Sequence, residues 1–541
     1  MSLLGVLVPR PPDPPQPGPD GKMPAGPPPL TRQVAIGLAG AVLASLLSNV
    51  NTRVDTFSVA DLRGAFGFNT DEGSWVTAAY NVAQIAIVPV TPWLASIVSP
   101  RRAIAAAVAL QTLASVAAPV APTYATLIVL RFLQGAGGGA LIPLLLTTVL
   151  GLLPLYQRVW GFAVYALVTT ATPLFAESLS GVLTEYVGWQ AIFWGNLLPG
   201  AMVMFMVLVG LPLVPAKPET FARADYLSMF AAVLFVSTIT AALGEGQRLD
   251  WFDSGLITGL FVAAAVSLAV FVWHAFSAAR PLIDLRLMAR TNFTCGILTV
   301  VVFAFATLGT SYILPQFGAQ IAGFRELQIG NILGVLAISH LVLCPLAAAM
   351  LRILDARLVL TIGIVLASLG ARMATWVTAD WVRGDFLAPL AVQAFAAPFI
   401  MVPLLIISTS TLQMADAVAG GTLFNIIRTL AGSIGTAVMG AIITVRERVH
   451  SNTISDHIVV GGMATMQRQG AAGPAGLARA VTRQAYVMAY ADAYGWLAVI
   501  IACGLLIVMV MRETRVAYPP HASHPEPAGP DRAAVLAGAR P

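Results

Sequence analysis

The stretch Tyr124–Leu150, YATLIVLRFLQGAGGGALIPLLLTTVL, carries one ionisable side chain, Arg131, in 27 residues. As a helix rising about 1.5 Å per residue it measures about 40 Å, more than the ~30 Å hydrocarbon core of a bilayer. Its glycines, Gly135, Gly137, Gly138 and Gly139, lie inside the apolar run. Small residues there let neighbouring helices approach closely; a phosphate-binding turn would instead follow a strand and open a helix. The stretch therefore reads as a membrane span with a charge in it, and that sets the question for the rest of the chain.

Working outward, thirteen further apolar runs bounded by charges or Gly/Pro turns follow, from Val34–Ala60 to Met488–Met511, with Ser74–Val98 read as one of them. Composition agrees. Of 541 residues 57% are hydrophobic and 10% charged, against about 25% charged in soluble domains. Fourteen spans of about 20 residues would use about 280 residues, leaving little for a soluble domain. The expected fold class is all-α and polytopic. With the N-terminus inside, seventeen of the 30 Lys and Arg residues fall on the cytoplasmic side and nine outside, with Arg53, Arg131, Arg372 and Arg428 within spans. Short loops orient a membrane protein by their Lys and Arg, so both termini are expected in the cytoplasm. Residues 1–33 read as a Pro-rich cytoplasmic tail of polyproline type without the apolar core of a signal peptide.

Charges at bilayer depth are costly, so they usually face a cavity or one another. Arg53 and Asp55 lie late in the first span, Arg131 early in the fourth and Glu177 in the fifth, and all four fit the outer half of the membrane. Two readings stand: a titrating network in which Glu177 or Asp55 exchanges an arginine partner for a proton, or a static set of ion pairs joining helices. The first is favoured for Glu177. Asn425 and Arg428, one turn apart in the thirteenth span, suit either ligand contacts or a helix-packing pair. His340 reads as a hydrogen-bonded structural histidine rather than a proton carrier.

Other classes find little support. The basic excess of five charges is too dispersed for nucleic acid. Cys295, Cys344 and Cys503 have no partner at metal or redox spacing and are expected to be buried small hydrophobes. Neither a nucleotide-binding fingerprint nor a nucleophile–base constellation is visible, so neither ATP use nor enzymatic chemistry is expected, and no metal or organic cofactor.

Several blocks then acquire a specific meaning. Arg131-Phe-Leu-Gln134-Gly135-Ala-Gly137, Glu245-Gly246 through Asp253-Ser254, Pro281-Leu-Ile-Asp284-Leu-Arg286, and Gly421-Thr422-Leu-Phe-Asn425-Ile-Ile-Arg428 through Ala437 occur in order at the matching spans. The chain resembles the fourteen-span drug:proton antiporters of the major facilitator superfamily, the EmrB/QacA branch. The resemblance implies a six-helix N-terminal bundle (34–215), two central linker helices (216–278), a six-helix C-terminal bundle (279–511) and a second cytoplasmic tail (512–541). It implies rocking-type alternating access around a cavity, driven by the proton gradient. Proton coupling falls on Glu177, Asp55, Arg131 and Arg53, and the cavity or helix interface on Asn51, Gln134, Asn425, Arg428 and His340.

The departures from the family are specific too. Asn51 stands where the family has an aspartate in span one, and Ala176-Glu177 stands where it has a Gly-Pro pair in span five. Glu177 would supply the missing acid. The expected activity is export of hydrophobic or amphipathic compounds from a cavity rich in Phe, Trp, Met and Leu, in the inner membrane. The alternatives are export of one metabolite or fatty acid, or a transport-inactive scaffold or sensor. Residues 447–483 read as a long external loop, where a periplasmic adaptor working with an outer-membrane channel could dock, or which serves only as a spacer.

Overall fold

The computed structural model describes residues 31–153, 157–214, 221, 225–278, 283–410, 412, 417–461 and 473–513, and these are mostly helical, without a strand. Thirteen helices are long and apolar enough to cross a membrane, and a bent pair makes a fourteenth span. In the first bundle these are α1 (Arg32–Phe66), α2 (Thr70–Ala86) continuing into α3 (Thr91–Val98), α4 (Pro100–Ala117), α5 (Tyr124–Leu152), α6 (Arg158–Tyr186), and the short α7 (Gln190–Trp194) leading into α8 (Leu197–Gly210). The central pair is α9 (Tyr226–Glu245) and α10 (Gly255–Ser277). The second bundle holds α11 (Thr291–Phe317), α12 (Glu326–Met350), α13 (Ala356–Ala374), α14 (Leu387–Thr409), α15 (Ala417–Gly461) and α16 (Gly473–Val510).

Local chemistry accounts for many of the ends. Thr31, Thr123 and Asp355 accept backbone N–H groups as N-caps of α1, α5 and α13. Asn69 and Glu72 form a reciprocal capping box at α2, and Gly67, with φ 69°, ends α1 in the left-handed conformation. The span read as Ser74–Val98 is two helices with a 60° bend between them. The α2 ladder gives way to turns at Ile87–Val90, and Pro92 opens α3 without needing an N–H.

Packing sorts the helices by depth inside the protein. In the most apolar stretch of α5, 78% of residues are buried, against 22% in α10. α5 is the hub. A Cβ added at Gly135 or Gly139 would run into the α2 backbone at Tyr80 and Gln84, and one at Gly137 would lie 2.7 Å from Gln111 N on α4. The small residues read from the sequence as helix contacts are those contacts. By contrast α10 presents Val262, Val266 and Trp273 outward, apolar surface suited to lipid.

The central pair lies along one seam between the bundles. At the end remote from the termini, Arg248 bonds Asp71 of α2 at 3.0 Å, and Gln247 donates to Thr444 of α15 at 2.9 Å.

Two expectations are corrected. Residues 447–483 are not a loop over most of their length: α15 runs on to Gly461 and α16 begins at Gly473, so two helices project beyond a bilayer's thickness. The bases of these extensions are held together by Asp492, which accepts from Arg446 Nε at 2.6 Å and meets His450 Nε2 at 2.7 Å. An Arg- and Gln-rich composition suits an exposed helix as well as a loop, which is why composition misled. Cys295 and Cys344 are buried as expected, but Cys503 is exposed on α16.

Candidate functional site

Between the bundles lies a cavity of about 220 Å³. From the first bundle Thr52, Gln84 and Thr169 reach it, and from the second Phe303, His340 and Gln393. Its walls are chiefly Leu, Ile, Val, Ala and Thr, and Phe303 is the aromatic residue among the described ones lining it. The aromatic-rich wall expected from the sequence is therefore not present there. Aromatic side chains instead cluster where helices leave the membrane, as at Trp93, Phe221 and Tyr226.

The bundles touch beside this cavity. Tyr165 of α6 donates its hydroxyl hydrogen to Oδ1 of Asn425 on α15 at 2.7 Å, with both residues buried. Arg428 engages the same hydroxyl. Toward the termini, the Arg352 guanidinium lies 5.3 Å over the Trp160 ring, and Leu146 of α5 packs on Gly421 of α15. Toward the opposite end α6 crosses α12 at Gly330 and Gly334, where added Cβ atoms would lie 3.0 Å from Ser178 Cα and 2.6 Å from Ser178 Oγ. This Gly-x-x-x-Gly pair is a close-approach surface between bundles.

A second polar group is buried inside the first bundle. Arg131 is fully enclosed; its Nη1 donates to Oε1 of Gln134, and its guanidinium lies 4.5 Å from the Tyr80 ring and 5.7 Å from Phe193. Gln134 Nε2 passes the connection to Oδ1 of Asn51 at 2.8 Å. Asn51 and Asn196 exchange reciprocal amide hydrogen bonds of 2.8 and 2.9 Å, and Asn196 donates onward to Ser115 Oγ at 2.8 Å. Each carboxamide of this relay uses both its donor and its acceptor, which fixes its orientation. Amides do not titrate near neutral pH, so this network orders Arg131 but offers no proton-accepting group at Asn51.

The residues singled out from sequence thus separate into groups. Asn425, Arg428 and His340 line the cavity. His340 is buried with Nδ1 2.9 Å from Leu336 O, the hydrogen-bonded state expected of it. Asn51, Gln134 and Arg131 form the internal network instead, at the contact of α1, α5 and α8. Glu177 is buried on α6, its own carbonyl 3.1 Å from where a Cβ on Gly330 would be, and so it lies at the seam between bundles. Arg53 and Asp55 lie within α1, and their side chains fall outside the described residues. Tyr165, Asn196 and Ser115 were not singled out from sequence. Asn196 carried a signal, a lone amide in the Gly195-Asn196 break between two apolar runs; Tyr165 carried only its hydroxyl in an otherwise apolar helix.

Two helical bundles around a mostly apolar central cavity, with a linker pair along one seam, define a polytopic membrane transporter. The sequence profile of the Major Facilitator Superfamily matches residues 37–436, and the chain belongs to that family. It is 27% identical over 430 residues to "Multidrug export protein EmrB" of Escherichia coli (strain K12), covering 79% of this chain and 83% of that one. It is also 27% identical over 419 residues to "Fatty acid resistance protein FarB" of Neisseria gonorrhoeae, with 77% and 82% covered. "Colistin resistance protein EmrB" of Acinetobacter baumannii is 23% identical over 406 residues, with 74% and 79% covered. Among solved structures, the human organic anion transporter MFSD10 (TETRAN) superposes with a TM-score of 0.54 at 13% identity, covering 87% of this chain and 99% of its own. The proton:xylose symporter XylE gives 0.53 at 13% identity, with 90% and 97% covered. At such identity the structural matches speak for the fold alone.

Proposed function

We propose that this protein is a proton-driven antiporter of the inner membrane that exports hydrophobic or amphipathic compounds. The observation that carries the reading is the cavity between the bundles, bounded toward the termini by a few breakable contacts: Tyr165 with Asn425, Trp160 with Arg352, and Leu146 with Gly421. Basic residues are concentrated on the side of the termini, which the positive-inside rule assigns to the cytoplasm. The contacts then form a cytoplasmic latch. Rocking of the bundles about the α6–α12 crossing opens the latch to load cargo and closes it before release outside.

Proton coupling falls to Glu177. Its position at the α6–α12 seam means that rocking changes its surroundings, and a change of surroundings is what makes a buried carboxyl take up or release a proton. Arg131, Arg53 and Asp55 are the other members of the coupling group, with Arg131 held by a neutral relay that fixes its direction. Because relatives of the chain include an export protein of Escherichia coli and a resistance protein of Neisseria gonorrhoeae, the reading extends to a periplasmic adaptor joined to an outer-membrane channel. The helical extensions of α15 and α16 are the surface such an adaptor would meet.

The test is substrate-triggered proton movement in proteoliposomes. Wild-type protein is expected to acidify or alkalinise the lumen in step with cargo movement, and Glu177→Gln to lower that rate at least about tenfold. Undiminished proton-linked export in Glu177→Gln would remove Glu177 from the role. A complete lack of proton movement with every cargo in a compound panel would leave a scaffold or sensor in place of a transporter.

A further inference from the structure

Among the described residues lining the cavity, Arg428 is the one with a permanent charge, and no Asp or Glu lines it. Nor does Arg428 have a protein counter-ion there: no described carboxylate lies within 4 Å of it, whereas the described ion pairs lie near helix ends or, for Arg446 with Asp492, at the base of the α15 and α16 extensions. Its guanidinium meets the neutral Tyr165 hydroxyl, and its Nε has no hydrogen-bond acceptor. Around it the cavity supplies aliphatic wall and the hydroxyls of Thr429 and Thr307. A half-buried cation at membrane depth is costly unless something neutralises it. A guanidinium is also planar, with a donor fork that matches a carboxylate.

We infer that Arg428 is the headgroup site of the transport cavity, and that the cargo is an amphiphile carrying one carboxylate on an aliphatic body. The inference rests on the export reading for its purpose but on the cavity alone for its chemistry. In it, the carboxylate takes the free donors of Arg428 and its chain lies along the Leu, Ile and Val walls. A cationic amphiphile would meet Arg428 as a like charge with no acid nearby to hold it. The site also touches the latch, because Asn425, one turn before Arg428, is the acceptor for Tyr165. Headgroup binding and latch closure therefore draw on the same few polar groups.

The test is equilibrium binding to the purified full-length protein, read by isothermal titration calorimetry. Three probes of equal chain length are compared: dodecanoate, dodecanol and dodecyltrimethylammonium. Dodecanoate is expected to bind at least about tenfold more tightly than dodecanol, and the ammonium compound more weakly than either. In Arg428→Gln the dodecanoate affinity is expected to fall to that of dodecanol while dodecanol binding stays, which reports an intact cavity. If Arg428→Gln loses dodecanol binding as well, Arg428→Lys is read instead, with an intermediate carboxylate preference expected and its absence overturning the inference. Ammonium binding as tight as carboxylate binding, or an unchanged dodecanoate affinity in Arg428→Gln, would also overturn it. Dodecanoate that binds as expected but is never transported would break the export reading and leave the headgroup site standing.

Discussion

Arg131 and Arg428 are both arginines in apolar helices, and the protein treats them in opposite ways. Arg131 is fully enclosed, covered by Tyr80 and Phe193 and tied into a relay of amides that ends at Ser115. Arg428 is half-buried, lines the central cavity and shares a tyrosine with the contact between bundles. The first is closed off by its surroundings, whereas the second has donors that a molecule in the cavity can reach. An intramembrane charge does not by itself declare its role; whether it is enclosed within a bundle or faces the cavity does.

The largest expected effect separates the two. Arg131→Ala leaves Gln134 without its donor and opens a void inside the first bundle, so a loss of about 1–3 kcal/mol is expected for the unmet acceptor, and more for the void. A drop of several degrees in thermal unfolding temperature and a loss of export are expected together. Arg428→Ala should lose export of anionic cargo with the unfolding temperature nearly unchanged. Equal destabilisation by the two variants would erase the distinction.

A smaller effect sharpens the Arg428 side. Tyr165→Phe removes one hydrogen bond between bundles, worth about 0.5–1.5 kcal/mol. The closed latch is then expected to lose population by about two- to tenfold, which spin-label distances between the terminal ends of α5 and α15 would measure. An unchanged distance distribution would mean that Leu146 and Trp160 hold the latch without it.

The smallest effect lies outside the membrane core, where a polar pair is neither enclosed like Arg131 nor open like Arg428. Asp225 caps α9 and meets His274 Nδ1 at 3.1 Å. Burial pushes its carboxyl up, but hydrogen bonds from Ser228 and the charge of His274 outweigh that and hold it below the usual carboxylate range. A depressed carboxyl stabilises the fold above its unfolded pKa and loses that contribution as pH falls through its folded pKa. Asp225→Asn is therefore expected to cost under about 1 kcal/mol at neutral pH and nothing at strongly acidic pH, as followed by thermal unfolding against pH.

Much of this was readable before any coordinates. The number of spans, the glycines of α5 as close-approach residues, and Asn425 with Arg428 as a pair of interest all follow from hydropathy and spacing. The bend at Ile87–Val90 was marked by Pro89 and Pro92, but hydropathy alone reads through them as one apolar run. Nor did hydropathy place Asn51 and Gln134, which sequence could equally assign to the cavity. α5 is apolar on every face, so it has no amphipathic stripe to tell which side looks inward.

What the chain determined by itself is one-dimensional: which segments belong in lipid, where the rare polar groups fall along them, and which family of sequences they match. Solvation cost is a property of a segment and can be summed along it. Only packing decided that Asn196 meets Asn51 across the bundle, that Tyr165 meets Asn425 between bundles, and that Arg428 rather than Arg131 faces the cavity. Those depend on rotation about each helix axis and on the choice of neighbour. Both are set by small-residue contacts such as Gly139 on Gln84 and Gly330 on Ser178, between residues 55 and 152 positions apart in the chain.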